Sequence, residues 1–430
     1  MNLKDKLYQL DKSVVKKAMP EIRPKGPGIE QFVRGEFHES PFGHCFVRKE
    51  VYATNHFSEK NDFFSLLQKP SHPFHLVGKD ETLHKLDIRK SLFLDTETTG
   101  LAGGAGTYAF LVGIGFFSGD EFHVEQYFMR DYHEERALLH GLLPRIEAAE
   151  SFVTYNGKSY DIPLLKTRFA LSKLDTDNFP ALHLDLLHAS RRLWRYEMET
   201  FDLNSVEYKI LNVVREEDVP GALIPHLFFE YLQTRNAKPL RGVFEHNLQD
   251  ILSLAGITAR AAALFEATPA GSSTIGELVS IARTYEDLKL FRESANTYEI
   301  VRERITDPRW ANEIATRLSW CYKRLCEWDK AKTVWEQMLS NGKKTIFPYV
   351  ELAKYYEHIA RDFPLALKQV QQALNWLELR ELTRADKEHA EIRKDLTRRM
   401  RRIRGKIVVR QSGDIKEEEN YLSEETTANN

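Results

Sequence analysis

Residues 92–100 read LFLDTETTG, and this short stretch decides the fold class of the chain. The apolar run at its start predicts a buried strand, and two carboxylates, Asp95 and Glu97, follow at positions i and i+2. Residues two apart on a strand point to the same face, so the two charges repel each other unless a cation lies between them. A hard divalent ion such as Mg²⁺ prefers oxygen ligands and suits this pair. The alternative is a solvated acidic pair, but the Thr-Thr-Gly that follows makes a much narrower pattern than two acids alone.

Two further polar segments offer more ligands. Residues 155–161 read YNGKSYD, and they predict a strand end, a turn and then a helix that opens near Asp161. Residues 246–250 read HNLQD and predict a helix, on which His246 and Asp250 share one face because they are four apart. The chain therefore offers four carboxylates and one imidazole in an order that allows them to converge.

Together, the patterns Asp-x-Glu-Thr-x-Gly, Asn-x-x-x-x-Asp and His-x-x-x-Asp resemble those of the DEDD exonucleases, which have the ribonuclease H-like fold. Within that superfamily the chain resembles the YprB-like exonucleases, also called mitomycin repair factor B. In that family a nuclease domain precedes helical repeats. The motifs cover residues 89–265, and the architecture covers the whole chain. The resemblance implies an α/β ribonuclease H-like mixed sheet followed by an all-α helical-repeat domain.

The resemblance also implies a role for each matching residue. Four carboxylates match the ligands of two divalent ions, Mg²⁺ or Mn²⁺, and they are Asp95, Glu97, Asp161 and Asp250. His246 matches the general base that takes the proton of the attacking water, and an ordinary imidazole pKa of about 6.5 suits that task. Three residues separate His246 from Asp250, where the histidine subgroup usually has four. The alternatives for His246 are a surface helix histidine and a histidine that only hydrogen-bonds a ligand carboxylate. The alternative for Asp161 is an acid that only stabilises a helix N-terminus.

A second implied set would contact the terminal nucleotide, and it comprises Thr98, Thr99, Gly100, Leu101, Asn156 and Lys158. Lys158 has the alternative of a solvated turn lysine. The glycine-rich residues 103–106 either let a strand end approach closely or form a flexible loop. Asp185 is predicted to cap a helix and not to bind metal. Residues 218–234 are predicted to be a loop and a helix that line the substrate groove or pack on the core.

Residues 272–404 are predicted to form tetratricopeptide-like helical repeats. Aromatic residues recur at steps of 34 to 37, and a small residue and then a bulky one follow at fixed distances. A small residue lets two helices approach closely, as in tetratricopeptide hairpins. The positions form three sets: Tyr285, Phe291, Ser294 and Tyr298; Tyr322, Trp328, Ala331 and Trp335; Tyr356, Phe363, Ala366 and Val370.

The remaining segments carry weaker signals. Residues 1–88 are predicted to be an N-terminal extension that partly packs on the nuclease domain, and residues 405–430 a polar, disordered tail. The formal net charge is −2, so a nucleic-acid-binding chain of this composition needs local basic patches. The basic run 398–406 is either such a patch or a solvated helix face that counters nearby acids. Three cysteines without metal or redox spacing predict free thiols in a reducing cytosol.

The carboxylate constellation predicts metal-dependent hydrolysis of phosphodiester bonds, and the resemblance implies an exonuclease that removes nucleotides from the 3′ end of DNA. The resemblance further implies a role in DNA repair in the cytoplasm, beside a helicase or another repair protein bound through the repeats. No membrane association is expected, because no apolar run has spanning length. An RNA 3′-to-5′ exonuclease would keep the same residues and stays open. A catalytically inactive repeat scaffold is the alternative from another class, although all four carboxylates are present.

Overall fold

The structure is a computed structural model of the chain. It describes residues 26–53, 63–68, 73–100, 106–216, 218–266, 273–340, 345–381 and 387–428, without the side chains of 63, 308–309, 381, 387–388 and 411–428. Leu101, Gly103 and Gly104 lie outside the described residues. The chain divides into two units, Met1–Thr268 and Pro269–Asn430, which we describe separately.

A mixed sheet forms the centre of the first unit. Its described strands are β1 (Glu36–Ser40), β2 (Gly43–Ala53), β3 (Ser91–Thr98), β4 (Ala109–Ser118), β5 (Glu121–Phe128), β6 (Ser151–Thr154) and β7 (Leu182–Asp185). The strands lie in the order β1-β2-β5-β4-β3-β6-β7. Neighbours from β1 to β3 are antiparallel, whereas β6 pairs in parallel with β3 and with β7. An antiparallel start followed by parallel strands confirms the predicted mixed α/β sheet.

The sheet begins earlier in the chain than residue 89, where we expected the nuclease domain to start. The hairpin of β1 and β2 adds to the edge strand β5, with Phe46 opposite Phe128. Cys45, Phe46 and Val47 are buried in the main core of this unit. The structure therefore places part of the predicted N-terminal extension inside the sheet, because its apolar centre supplies one more strand to the core.

Seven α-helices surround the sheet in the described part of this unit: α1 (Phe74–Gly78), α2 (Glu135–Ala148), α3 (Asp161–Leu171), α4 (Leu186–Leu193), α5 (Leu203–Val206), α6 (Ile224–Thr234) and α7 (Leu240–Glu266). Helix α7 is long and apolar enough to cross a membrane by length and composition, but two thirds of its most apolar window is buried inside the protein. It also carries His246 and the buried Asp250. Its apolar composition is accounted for by packing on the sheet.

Strand β3 divides its side chains between the two faces of the sheet. Leu92 and Leu94 belong to the core cluster that includes Leu165 of α3. Phe93 points to the opposite face, where its ring lies 5.4 Å from that of Phe122. Because side chains alternate along a strand, Asp95 and Glu97 share the face of Phe93, and Thr96 shares that of Leu94. The two carboxylates of the first motif, Asp95 and Glu97, therefore lie on the face of the sheet that α7 covers.

The second unit is helical in its described part, which confirms a helical C-terminal region. Its helices are α8 (Ile275–Asp287), α9 (Phe291–Arg304), α10 (Pro308–Arg324), α11 (Trp328–Ser340), α12 (Phe347–His358), α13 (Phe363–Glu381) and α14 (Lys387–Ala428). The first six form three successive pairs.

The repeat positions occupy equivalent places in these three pairs. An aromatic residue begins each second helix, and the small residues Ser294, Ala331 and Ala366 are fully buried. The bulky residues four positions later, Tyr298, Trp335 and Val370, are buried as well. The spacing thus predicted the hairpins and their packed positions, while the tetratricopeptide assignment stays a prediction.

Helix α14 differs from the expected tail. We expected a disordered segment over 405–430, but the helix runs without interruption from Lys387 to Ala428. Residues 387–428 contain no proline and are rich in lysine, arginine and glutamate, which are strong helix formers. Local helix propensity therefore accounts for the continuation of the helix through a polar sequence.

Candidate active site

The end of β3 presents two carboxylates to the same space. Asp95 pairs with Gly113 across β4, and Glu97 pairs with Leu111 before a bulge in the strand. Asp95 Oδ2 accepts a hydrogen bond of 2.9 Å from Asn247 Nδ2 of α7. The strand and the helix are therefore joined directly at the first carboxylate of the motif.

Asn247 is fixed by a polar row that crosses three strands. Gly113 stands between Asp95 on β3 and Gln126 on β5. Gln126 Nε2 donates to Asn247 Oδ1 at 2.9 Å and to the Phe244 carbonyl at 2.8 Å. A Cβ atom on Gly113 would lie 2.1 Å from Asn247 Oδ1. The glycine is needed here because the helix side chain lies against the strand backbone.

Helix α7 brings the imidazole and the last carboxylate to the same place. His246 Nε2 lies 3.4 Å from Asp250 Oδ2 and 4.0 Å from Glu97 Oε1. The side chains of Glu97, His246 and Asp250 are 12%, 10% and 9% exposed, so each is nearly removed from water. Their ligand atoms lie within 4.8 Å of one another. The predicted i, i+4 pair therefore faces the first motif.

A buried arginine joins this group from the loop before α6. Arg215 Nη2 donates to Asp250 and to Glu207, and Arg215 Nε donates to Glu207 Oε2 at 2.6 Å. Glu207 is 1% exposed and begins a π-helical turn, Glu207–Leu211. Burial raises the pKa of Glu207 even though Arg215 opposes that shift. The arginine compensates two buried carboxylates, one of them in the predicted site.

Asp218 lies on the other side of the imidazole. Its Oδ1 atom is 2.7 Å from His246 Nδ1, and its Oδ2 atom is 3.5 Å from Arg215 Nη1. Arg215 Nη1 is also 3.2 Å from His246 Nδ1. The imidazole is thus enclosed by carboxylates on both of its ring nitrogens.

Asp161 approaches from the opposite face of the sheet. It begins α3 and is 5% exposed, and Thr96 Oγ1 donates to its Oδ1 atom at 2.5 Å. Burial raises the pKa of Asp161 to about 6, although the hydrogen bond from Thr96 lowers it. Asp161 also raises the pKa of Asp95. It therefore lies near the carboxylate cluster while its side chain is held by the neighbouring strand residue.

The carboxylates of β3 are electrostatically strained. Burial raises the pKa of Asp95 well above its ordinary value, and the charges of Asp250 and Asp161 raise it further. Burial likewise raises the pKa of Glu97, followed by the charges of Asp95 and Asp250. Arg215 opposes both shifts. Like charges gathered in a buried place favour the binding of a cation.

The expected substrate-binding residues line the turn after β3 and the turn after β6. The Thr98 hydroxyl donates to the Gly100 carbonyl at 3.0 Å, and the Tyr160 hydroxyl donates to the same carbonyl at 2.5 Å. The Thr99 hydroxyl accepts from the Tyr108 amide at 3.0 Å. These contacts hold the backbone of residues 98–100 beside the carboxylates.

Asn156 and Lys158 are exposed, and Asp185 holds the turn that carries them. Asp185 accepts from the amides of Asn156 at 2.9 Å, Lys158 at 3.1 Å and Leu187 at 3.1 Å. The last of these bonds caps α4, as the sequence predicted. Asn156 has a φ of 66°, a left-handed conformation that asparagine tolerates well. The cap residue thus shapes the second motif as well.

Comparison with known proteins identifies the family. Residues 92–262 match a family described as the RNase_H superfamily. The chain is 32% identical over 348 residues to a protein of Bacillus subtilis (strain 168) named Uncharacterized protein YprB. The aligned region covers 77% of this chain and 81% of that protein. The chain belongs to the YprB family of the RNase H superfamily. A nuclease domain of this superfamily suggests nucleic-acid hydrolysis.

The donor set of this YprB-family site fits a divalent metal ion. Glu97, His246 and Asp250 present their ligand atoms close together, and Asp95 lies beside them. Nucleases of the RNase H-like superfamily use divalent metal ions, and carboxylate oxygens suit hard ions such as Mg²⁺ and Mn²⁺. The individual roles of these side chains stay predictions.

The sequence did not predict four residues that complete the YprB-family site: Glu207, Arg215, Asp218 and Asn247. Asn247 could have been found from the sequence, because it is a polar residue on the apolar stripe of the helix, between Val243 and Ile251. Arg215 and Glu207 left none, since each is more than 30 residues from Asp250 and no local pattern joins them.

Proposed function

We propose that this member of the YprB family is a metal-dependent 3′-to-5′ exonuclease that hydrolyses phosphodiester bonds in DNA. The convergence of the four carboxylates carries the proposal. Asp95 and Glu97 from β3 meet Asp250 from α7, and Asp161 from α3 is close enough to raise the pKa of Asp95. Such a cluster is unfavourable by itself and becomes favourable when it binds cations.

The four carboxylates would hold two divalent ions, Mg²⁺ or Mn²⁺, which when bound would stabilise charge on the attacking and leaving oxygens of the phosphodiester. His246 would act as the general base and take the proton of the attacking water at Nε2. That atom faces Glu97 and Asp250, so it lies on the side of the cluster.

The turn residues would hold the 3′-terminal nucleotide. The backbone of residues 98–100 is fixed by Tyr160 and Tyr108, so it offers a rigid edge next to Asp95 and Glu97. The exposed Asn156 and Lys158 flank the same region through their common anchor, Asp185. Lys158 would contact phosphate, and Asn156 would donate from its amide.

Digestion of a DNA oligomer labelled at its 5′ end tests the proposal. Wild type with Mg²⁺ or Mn²⁺ is expected to give a ladder of shortened products that EDTA abolishes. Asp95→Ala should give none, whereas the matched control Asp120→Ala, in the β4–β5 turn, should resemble wild type. Equal activity of wild type and Asp95→Ala would contradict the assigned site.

A matched RNA oligomer separates DNA from RNA specificity. The same carboxylates could support hydrolysis of DNA or of RNA, so the expected preference for DNA rests on the family resemblance. Faster shortening of RNA than of DNA would replace the proposed substrate. Inactivity on both, with metal bound, would instead favour the inactive scaffold.

We also propose a cytoplasmic role in DNA repair, in which the helical repeats bind a helicase or another repair protein. A strain that lacks this chain is expected to be sensitive to mitomycin. Wild-type protein should restore resistance, and the Asp95→Ala protein should not. Full complementation by Asp95→Ala would show that the repair role does not need the nuclease.

A further inference from the structure

We propose that Asp218 is a positioning residue for His246, fixing the imidazole in the tautomer that carries its proton on Nδ1. Asp218 Oδ1 lies 2.7 Å from Nδ1, which is a short hydrogen-bond distance. The kinetic consequence rests on the proposed function, in which His246 is the base. The hydrogen bond itself is a property of the folded chain.

The tautomer follows from the donors and acceptors around Nδ1. An ionised carboxylate only accepts hydrogen bonds, and a guanidinium only donates them. Nδ1 has Asp218 Oδ1 at 2.7 Å and Arg215 Nη1 at 3.2 Å, so it cannot satisfy both. The shorter contact requires a proton on Nδ1. Arg215 Nη1 can then turn to Asp218 Oδ2, at 3.5 Å, and both donors share one carboxylate.

The consequence concerns the other ring nitrogen. With its proton on Nδ1, a neutral imidazole presents a lone pair at Nε2. Nε2 is directed at the carboxylate cluster, 3.4 Å from Asp250 Oδ2 and 4.0 Å from Glu97 Oε1. A general base needs an unprotonated atom on the side of the reacting water. Asp218 therefore sets the state of His246 that the reaction requires.

Close packing holds the Asp218 segment against α7. A Cβ atom on Gly242 would lie 2.6 Å from Val219 Cγ2, so the loop lies against the helix one turn before His246. On its other side, the loop is tied through Arg215 to the buried Glu207. The segment that carries Asp218 is thus held by its packing on α7 on one side and by the link from Arg215 to Glu207 on the other.

Removal of the carboxylate should reverse the tautomer. In Asp218→Ala, Arg215 Nη1 becomes the polar neighbour of Nδ1 at 3.2 Å. Because a guanidinium can only donate, Nδ1 must accept, and the proton moves to Nε2. The base would then be protonated at the atom that should take the proton. Asp218→Glu retains a carboxylate and should restore part of the original state.

Two-bond proton–nitrogen NMR on protein labelled at histidine tests the tautomer without any catalysis. His246 is identified by comparison with His246→Gln, in EDTA and at a pH where the imidazole is neutral. Wild type should show the proton on Nδ1 and Asp218→Ala should show it on Nε2. A wild-type proton on Nε2, or an unchanged tautomer in Asp218→Ala, would overturn the proposal.

Single-turnover digestion of labelled DNA tests the kinetic consequence. Asp218→Ala should lower the rate by about 100-fold or more, the range expected for losing a general base, with DNA affinity nearly unchanged. In a His246→Gln background, Asp218→Ala should cause no further loss, because Asp218 acts through His246. An equal loss in both backgrounds would overturn the proposal. The control Glu245→Gln removes a neighbouring charge and should resemble wild type.

The two arms keep this inference separate from the proposed function. If wild type digests neither DNA nor RNA, the proposed function fails while the NMR measurement still decides the tautomer. If wild type digests DNA and the tautomer does not depend on Asp218, only the positioning role fails.

Discussion

At the residue scale, the site depends on a glycine, Gly113, which leaves room for a side chain of helix α7. Gly113 lets Asn247 lie against β4 and bridge Asp95 to Gln126. Asn247 is fully buried, so its amide must be satisfied by these partners. A small change at the glycine therefore affects the first carboxylate through a chain of two hydrogen bonds.

We expect Gly113→Ala to displace Asn247 and to lower both stability and activity. The added Cβ would lie 2.1 Å from Asn247 Oδ1. Because Asn247 is fully buried, its side chain cannot move to another rotamer without a cost in free energy. A cost of about 1–3 kcal/mol in the free energy of unfolding is typical of overpacking. Urea unfolding and DNA digestion measure the two effects. Gly221→Ala, where a Cβ meets open space, is the control and should change neither.

We expect Asp95→Asn to stabilise the metal-free protein while it abolishes hydrolysis. Burial and the charges of Asp250 and Asp161 raise the pKa of Asp95, so the folded protein holds this proton more tightly than the unfolded chain. Wild-type stability therefore falls as the pH rises above the ordinary carboxyl pKa of 3.8. At pH 8 in EDTA the variant should be more stable by about 0.5–2 kcal/mol, as is common for strained active sites.

Thermal unfolding in EDTA at pH 8 and at pH 4 checks this difference. The stability gap should shrink at the lower pH, because pH 4 is close to the ordinary carboxyl pKa of 3.8 and the folded protein then carries Asp95 protonated and uncharged. Added Mg²⁺ should raise the Tm of wild type more than that of the variant, because a bound ion stabilises the folded state. A variant less stable than wild type at pH 8 in EDTA would contradict the electrostatic account.

At the scale of elements, helix α14 is joined to α12 by one buried carboxylate. The Glu357 side chain is fully buried and accepts hydrogen bonds of 2.7–2.9 Å from Arg399, Arg402 and Lys406. The sequence suggested that the basic run 398–406 is either a phosphate-binding patch or a solvated helix face, and the structure shows a third role. Three of its cations pair with Glu357, which lies about 40 residues earlier. Arg401 and Arg404 are exposed on the same helix.

We expect Glu357→Gln to weaken the packing of α14. Burial raises the pKa of Glu357, but hydrogen bonds from Arg402 and Lys406 outweigh this effect and hold the pKa at about 2. The stabilisation is therefore present above the ordinary pKa of 4.5 and is lost as the pH falls toward 2. Loss of charge-assisted hydrogen bonds should cost about 1–3 kcal/mol near pH 7.

Unfolding followed between pH 7 and pH 2 checks this prediction. The difference between wild type and Glu357→Gln should disappear at the acid end of the range. The control Glu378→Gln alters an exposed ion pair and should change stability little. A constant difference at all pH values would mean that the effect of Glu357 is one of shape and not of charge.

At the scale of the whole molecule, the chain separates its chemistry between two units. The carboxylate cluster lies within the first unit, and the Glu357 network lies within the second. The formal net charge of −2 conceals this arrangement, because it sums local clusters of opposite sign. Ion binding and helix packing can therefore be perturbed independently.

We expect calorimetry to resolve two unfolding transitions that respond to different changes. Mn²⁺ or Mg²⁺ should raise the Tm of the transition that Asp95→Asn affects, because ligand binding stabilises only the unit that binds it. Glu357→Gln should lower the Tm of the other transition alone. A single transition shifted equally by the metal ion and by both variants would contradict independent units.

The sequence by itself determined the local strands and helices, and it indicated which ionisable residues are candidates for the site. The apolar run before Asp95 predicted β3, the apolar stripe of α7 placed His246 and Asp250 on one face, and repeat spacing predicted the paired helices. These features follow from periodicities of two and 3.6 residues, which a short stretch of sequence displays completely. The assignment of the four carboxylates rested on their three motifs, taken in order, and on the family resemblance that these motifs carry, and it stays a prediction.

The tertiary structure alone decided which side chains surround those carboxylates. Arg215 reaches Asp250 across 35 positions of sequence and links it to Glu207, which is 43 positions from Asp250. Asp218 reaches His246 across 28 positions. The hairpin of β1 and β2 joined the sheet because β5 offered an unpaired edge, which no local pattern records. Contacts between distant segments depend on how loops close and helices pack, and a one-dimensional period contains no information about either.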